Sequence, residues 1–153
     1  MKIAVGSDHG GLQVKDAVIA LLAGRGHEVI DAGTNGTASV DYPDFGEKVA
    51  EMVSRGEADQ GVLACGTGIG MSIVANKFPG IRAALVTDEF MARMSREHNN
   101  ANILVLGGRV VTPETAVELV AAWLDAAFEG GRHQARLDKI AVLEKQACGG
   151  AGA

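Results

Sequence analysis

The segment VLACGTGIGMSIVANK, residues 62–77, runs from an apolar stretch through a glycine-rich turn into a helical pattern. Cys65 ends the apolar stretch, and glycines follow at positions 66, 68 and 70. A buried strand that enters a helix through such a turn is typical of an α/β fold with a parallel sheet. The N–H groups of the turn are unpaired, and the helix dipole adds partial positive charge there. The segment therefore predicts both a fold class and a site for an anion.

The same alternation continues along the whole chain. Short apolar runs predict buried strands at 2–6, 27–31, 61–65, 81–86 and 102–107. Helical patterns separate them, with helix starts indicated by Pro43, Asp88 and Thr112, and a last helix is expected in HQARLDKIAVLEK. This order predicts one α/β domain over residues 1–146, with helices on both faces of a parallel sheet, and a flexible tail over 147–153.

Composition narrows the choice of partners and compartment. Of the 153 residues, 47% are apolar, which is ordinary for a globular protein, and the net charge of −5 argues against nucleic acid or an anionic membrane as a partner. The first apolar run is too short for a signal peptide, so we expect a cytoplasmic protein. The two cysteines, Cys65 and Cys148, do not indicate a disulfide framework, and we interpret Cys148 as an exposed spectator thiol.

Polar residues follow the predicted strands where a ligand is expected. In open parallel sheets, ligands bind beyond the carboxyl ends of the strands, near the point where the strand order reverses. The segment SDHGG follows the first strand and CGTGIG follows the third. If the strand order begins 2-1-3, Asp8, His9 and Cys65 meet in one cleft.

The glycine loop alone is compatible with several functions. A dinucleotide site requires GxGxxG, but Met71 stands at the third glycine position, and Asp88 is better explained as a helix N-cap than as a ribose-binding acid. A thiol phosphatase would need an arginine about six residues after the cysteine, and no arginine lies between Cys65 and Arg82. Cys65 could also be an inert buried residue. Its position at a helix N-terminus instead favours a reactive thiolate, as nucleophile or general base.

Seven segments, in order, carry a family resemblance: GSDHGG, VIDAGT, DYPDFG, CGTGIGMSIVANK, GIRAA, MSREHNNANILVLGGRVV and EGGRHQARLDKI. Together they resemble the ribose-5-phosphate isomerase B type of sugar-phosphate isomerase, the RpiB/LacAB family. The resemblance implies a three-layer α/β/α sandwich, Rossmann-like, with a five-stranded parallel sheet. It also implies no metal or organic cofactor, and a homodimer or dimer of dimers with active sites shared between two subunits.

The resemblance implies an aldose–ketose isomerisation through an enediolate. Some members carry a glutamate base on the loop, where this chain has Met71, so Cys65 remains as the base that moves a proton between C2 and C1 of the sugar. The Thr67 hydroxyl and the loop amides would stabilise the oxyanion. The amides concerned belong to Gly66, Gly68 and Gly70.

The resemblance also assigns residues to the sugar ring. His98 would open the ring, although from spacing alone a half-buried core histidine is the more ordinary interpretation. Asn99 and Asp8 would contact hydroxyl groups or the ring oxygen, and Tyr42 would pack on the sugar.

The phosphate would be bound by His9, Arg109, Arg132 and Arg136. Arg132 and Arg136 share a helix face, although spacing alone also fits a solvated face that pairs with acidic residues. With His98, Asn99 and Arg109, these two arginines are expected to reach the Cys65 of a neighbouring subunit, and Arg82 is interpreted as structural.

The implied substrates are ribose 5-phosphate and ribulose 5-phosphate. Two alternatives remain at this point: an isomerase of a six-carbon aldose 6-phosphate, such as allose or galactose 6-phosphate, and a non-catalytic module that binds phosphorylated sugars.

Overall fold

The computed structural model describes residues 1–150, and its centre is one parallel sheet of five strands. The strands are β1 (Lys2–Ser7), β2 (Glu28–Asp31), β3 (Gln60–Cys65), β4 (Ala83–Leu85) and β5 (Ile103–Gly107). They are ordered β2-β1-β3-β5-β4, and every neighbouring pair is parallel. The order therefore begins 2-1-3 and reverses between β1 and β3, which is the condition under which Asp8, His9 and Cys65 were expected to meet in one cleft.

Six α-helices cover the sheet on both faces. They are α1 (Leu12–Gly24), α2 (Tyr42–Ser54), α3 (Ile69–Ala75), α4 (Glu89–Glu97), α5 (Pro113–Asp125) and α6 (Arg132–Gly149), with a 3₁₀ turn at His9–Gly11. No helix within residues 1–150 is long and apolar enough to cross a membrane.

The side chains of β3 alternate between two separate cores. Val62 and Ala64 face a core with α1, α5 and part of α4, and this core contains the fully buried Trp123. Leu63 and Cys65 face a second core with α2 and α3. Period-two alternation along a fully buried strand requires both faces to be covered, so the predicted three-layer sandwich is confirmed. Cys65 projects toward the layer that contains α3.

The carboxyl end of the chain differs from the expected tail. Helix α6 continues to Gly149, so Ala147, Cys148 and Gly149 are helical. Ala147 is a strong helix former, and it lines a groove with Leu143 against the segment between α3 and β4. The helix therefore extends beyond the point where the sequence becomes rich in small residues, and residues 151–153 of the expected tail lie outside the described part of the chain.

Candidate active site

A cleft of about 460 Å³ opens at the carboxyl ends of β1 and β3. It is the cleft predicted from the strand order, because Asp8, His9 and Cys65 all line it. The other expected residues on its wall are Tyr42, Gly66, Thr67, Gly70 and Arg109. Ile69 and Ile73 of α3 complete the lining and give one side of the cleft an apolar surface.

The thiol of Cys65 lies at the base of the glycine loop. Cys65 is the last residue of β3 and is only 5% exposed. Its Sγ accepts a hydrogen bond from the N–H of Gly68 at 3.2 Å. Gly68 is the N-cap of α3 and has a φ of +81°, a left-handed conformation that favours glycine. An N–H donated to sulfur interacts more favourably with a thiolate than with a thiol, so this geometry suits a base.

The loop is fixed against the end of β5 by two backbone hydrogen bonds. The N–H of Gly108 donates to the carbonyl of Cys65 at 2.8 Å, and the N–H of Arg109 donates to the carbonyl of Gly66 at 2.9 Å. A Cβ on Gly68 would lie 3.0 Å from the carbonyl oxygen of Leu106 and closer still to the side chain of Leu85. The loop is thus packed closely against β5, and its N–H groups have fixed positions. Fixed donors of this kind are what preorganised binding of an oxyanion requires.

Tyr42 and Thr67 are placed differently around this loop. The ring of Tyr42, the first residue of α2, lies against Gly70, where an added Cβ would come within 2.6 Å of two ring carbons. The Thr67 hydroxyl oxygen accepts the N–H of Ile69 at 3.3 Å, which leaves its proton free to donate toward the cleft. Both residues therefore lie beside the glycine loop on the wall of the cleft.

Asp8 has a structural role as well as a place in the cleft. Its Oδ1 accepts the N–H groups of Gly10 at 2.9 Å and Gly11 at 3.2 Å, which caps the 3₁₀ turn. Asp8 is buried, with only 6% of its surface exposed. Because Oδ1 accepts both backbone N–H groups, Oδ2 is the oxygen left to accept a further hydrogen bond.

His9 is held in one tautomer by its backbone partner. Its Nδ1 accepts the N–H of Val40 at 3.2 Å, so the proton of the neutral ring lies on Nε2. The loop that contains Val40 is anchored to α1 by the buried Lys15, whose Nζ donates to Asp31 and Asn35 at 2.8 Å each. His9 therefore presents an Nε2–H donor, which is suited to a phosphate oxygen.

Arg109 lines the cleft of its own chain, beside Cys65. A Cβ on Gly66 would meet its guanidinium at 3.0 Å. The sequence interpretation grouped Arg109 with the residues that serve a neighbouring subunit. The structure places it in its own cleft because β5 ends beside β3, and both strands lead into the same edge of the sheet.

The remaining expected residues lie at the opposite edge of the sheet. A helix that follows a parallel strand begins at the carboxyl edge and returns to the amino edge. His98 is the C-cap of α4 and Asn99 follows it, so both lie near the start of β5. Arg132 and Arg136 begin α6, which is joined to α4 by the N–H of Glu129 donating to the carbonyl of Glu97. A strand of five residues separates the two edges by roughly 16 Å.

Arg82 stabilises the turn that carries His98 and Asn99. Its Nε donates to the carbonyls of Asn99 and Asn100, and one terminal nitrogen donates to Asn100 as well. Burial lowers the pKa of the Arg82 guanidinium, and the nearby Glu144 carboxylate partly offsets this effect. The side chain caps the end of α4, so the structural interpretation of Arg82 agrees with the geometry.

Sequence reasoning missed two residues beside His98. The ring of His133 stacks on the ring of His98, with centroids 4.1 Å apart and an interplanar angle of 11°. The Glu129 carboxylate lies 3.2 Å from Nε2 of His133 and 4.0 Å from Nε2 of His98. His133 lies in the GGRHQAR segment, next to Arg132, which was expected to bind phosphate. Nothing in the local sequence indicated that the His133 ring stacks on His98, because stacking between two helices leaves no local pattern.

Comparison with known proteins shows which family and which solved structures the chain is similar to. The model of the ribose/galactose isomerase family matches residues 3–140. Ribose-5-phosphate isomerase B of Escherichia coli is 49% identical over 145 residues, covering 95% of this chain and 97% of the relative. Ribose-5-phosphate isomerase B of Clostridium thermocellum aligns with a TM-score of 0.94 and 59% identity, over 96% of this chain and 99% of that one. The Mycoplasma genitalium ribose-5-phosphate isomerase B structure with bound ribulose-5-phosphate aligns with a TM-score of 0.91 and 44% identity, over 94% and 96%.

Proposed function

The chain belongs to the ribose/galactose isomerase family, and on that premise we propose that it interconverts ribose 5-phosphate and ribulose 5-phosphate. The observation that carries the proposal is the placement of a nearly buried thiol directly below a rigid loop of backbone N–H groups. A base next to an oxyanion site is what the removal of a proton beside a carbonyl requires.

Cys65 acts as the general base on the open-chain sugar. Its thiolate removes the proton from C2 of the aldose, and the electron pair moves through C1 to the carbonyl oxygen O1. The resulting enediolate is stabilised by the loop amides and by the Thr67 hydroxyl. The thiol then returns its proton to C1 while the hydroxyl proton of O2 moves to O1, which gives the ketose with no net change of atoms or electrons.

The phosphate and hydroxyl groups are recognised around this centre. Nε2–H of His9 and the guanidinium of Arg109 meet the anionic end of the substrate in the cleft, since both are donors on its wall. Asp8 and Asn99 bind hydroxyl groups, and Tyr42 packs on the sugar. Arg132 and Arg136 supply the remaining positive charge from a second subunit.

The protein acts as a homodimer in which each active site uses both subunits. His98, Asn99, Arg132 and Arg136 lie at the amino edge of the sheet, too far from the Cys65 of the same chain to share one substrate. Helix α6 exposes Ile140, Val142 and Leu143 beside a groove of about 670 Å³, so it offers an apolar surface for a second copy. The two cysteines are free, in keeping with a cytoplasmic location, which we also propose.

Subunit complementation tests the shared site. A Cys65→Ser chain and a His98→Asn chain, co-expressed with different affinity tags, should each be inactive as homodimers. Their purified heterodimer should recover about half of the wild-type activity, because one of its two symmetric sites then has both residues intact. The matched control pairs Cys65→Ser with Asp8→Asn. Both changes lie in the same cleft, so neither site of that heterodimer is intact and it should stay inactive. A Cys65→Ser/His98→Asn heterodimer that also stays inactive would contradict a shared site.

Steady-state rates on a panel of sugar phosphates test the substrate. With a chelator present, we expect kcat/KM for ribose 5-phosphate to exceed that for allose 6-phosphate and galactose 6-phosphate by about tenfold or more. This is the usual loss in kcat/KM when a substrate has one carbon more than its pocket accommodates. The six-carbon alternative is retained because the family model covers galactose as well as ribose isomerases. A higher rate on a six-carbon sugar would reassign the substrate, and binding without turnover of any sugar would leave the non-catalytic module.

A further inference from the structure

We propose that Glu129 and His133 are positioning residues for ring opening: they fix the imidazole of His98 and stabilise the charge it acquires when it takes a proton from the sugar. The proposal rests on the proposed function, because it assigns partners to the ring-opening step. His98, Glu129 and His133 are called the His–Glu–His cluster below.

Three elements build the His–Glu–His cluster. His98 ends α4, its N–H donating to the carbonyl of Met94 at 2.9 Å. The N–H of Glu129 donates to the carbonyl of Glu97 at 3.0 Å, which ties the segment before α6 to the end of α4. Gly130 and Gly131 then turn the chain with positive φ, and α6 begins so that His133 is packed beneath His98. The backbone therefore sets the ring stack before any substrate is present.

The three side chains are buried to different extents. The ring of His98 is accessible to a substrate, whereas the ring of His133 beneath it is buried and can hold it in place. His133 is almost fully buried, whereas the His98 side chain is 38% exposed and Glu129 is 52% exposed. Nε2 of His133 lies 3.2 Å from the Glu129 carboxylate, yet its geometry is not that of a hydrogen bond, and within residues 1–150 the nitrogen has no other hydrogen-bond partner. A small rotation of the exposed Glu129 side chain would be enough to form a hydrogen bond with this nitrogen. The backbone thus holds the three side chains together, but one buried nitrogen in the cluster still lacks a hydrogen bond.

The chemistry of ring opening explains why such a support is useful. When the furanose opens, the C1–O4 bond breaks, a carbonyl forms at C1, the proton of the O1 hydroxyl leaves and a proton arrives at O4. If the imidazole of His98 accepts the first proton, it becomes a cation for the duration of the step. Two stacked imidazoles at 4.1 Å disfavour two charges but tolerate one, and the Glu129 carboxylate 4.0 Å away stabilises that single charge.

The same three side chains also form a set that a metal ion could use, since one ligand atom from each lies within 4.8 Å of the others. Zinc binds in the plane of an imidazole ring, at about 2.0 Å from the nitrogen. Rings stacked at 11° direct their nitrogen lone pairs side by side rather than toward a common point. The geometry therefore favours proton positioning over metal binding, and the two make different predictions.

Isotope exchange separates ring opening from the isomerisation itself. Ribulose 5-phosphate cannot form a furanose, because the oxygen at C5 carries the phosphate, so exchange of its C1 hydrogen in D₂O needs Cys65 but not ring opening. Glu129→Gln should lower kcat for ribose 5-phosphate by about tenfold while exchange stays within about twofold of wild type, as expected for a residue that acts through another. His133→Phe, which keeps a buried aromatic ring but removes both nitrogens, should show the same split.

Glu118→Gln is the matched control, because Glu118 is an exposed carboxylate on α5 and its substitution makes the same change of charge. It should leave both rates at the wild-type level. Equal losses of conversion and exchange in Glu129→Gln, or no loss of either, would overturn the proposal, as would calorimetric Zn²⁺ binding that is abolished by His133→Phe. A wild-type protein that neither converts nor exchanges these sugars would instead remove the proposed function together with this inference.

Discussion

Replacing Cys65 by serine is expected to lower kcat for ribose 5-phosphate by about 10²- to 10⁴-fold, the usual contribution of a general base. Serine keeps the size and the hydrogen bond from the Gly68 N–H, but its hydroxyl hardly ionises near neutral pH. KM should change little, because His9 and Arg109, the proposed phosphate donors, are untouched. Deuterium exchange into ribulose 5-phosphate should fall by the same factor as kcat, since both use the same base.

The control for this substitution is Cys148→Ser, which changes the only other thiol of the chain. Cys148 is exposed on α6, far along the helix from Arg132, so we expect wild-type kcat from this variant. Circular dichroism should show that Cys65→Ser is folded. A Cys65→Ser enzyme with near-normal turnover would rule out the thiol as base and direct the search to other groups of the cleft.

Gly68→Ala is expected to lower kcat by about 10²-fold, comparable to the loss of one oxyanion donor, because it displaces the loop that carries the N–H groups of the cleft. The new methyl group would lie 3.0 Å from the backbone of Leu106 and 2.5 Å from a side-chain carbon of Leu85, so the loop must move away from β5. That movement displaces the N–H that points at Cys65. Stability should fall as well, by more than the roughly 1 to 2 kcal/mol that a left-handed conformation costs an alanine.

Gly80→Ala separates backbone strain from the loss of loop geometry. Gly80 also has a positive φ, of +74°, but nothing lies within 4 Å of the Cβ it would gain. Urea unfolding of Gly80→Ala should therefore show only the cost of strain, and its kcat should equal that of the wild type. If both variants have the same stability and the same kcat, the close packing of Gly68 does not control the loop.

The sheet and the cleft were predictable because they depend on short-range signals. Apolar runs indicated the strands, and the carboxyl ends of parallel strands lie at one edge of the sheet. Asp8, His9 and Cys65 could therefore be brought together once the strand order was assumed to begin 2-1-3. The ends of elements were less certain, as the length of α6 shows. A change from apolar to small residues looks like the end of a helix when the groove beneath it is unknown.

Contacts between distant segments could not be read from local patterns. His133 stacks on His98 only because the turn at Gly130 and Gly131 aims α6 at the end of α4. Arg109 was grouped with residues of the opposite edge by analogy, whereas the pairing of β3 with β5 decides where it lies. Such placements depend on tertiary packing, which a sequence pattern with a period of two or four residues does not encode.

The hydrogen bond from the Gly68 N–H to the sulfur of Cys65 also bears on the sensitivity of the protein to oxidation. A thiolate is the form of cysteine that peroxides attack, and its first product can be rescued when a second thiol lies near enough to form a disulfide. The only other cysteine is on α6, outside the cleft, so oxidised Cys65 has no resolving partner in its own site. The low exposure of Cys65 is then its main protection against oxidation. A sugar bound in the cleft would also keep oxidants away from the thiol.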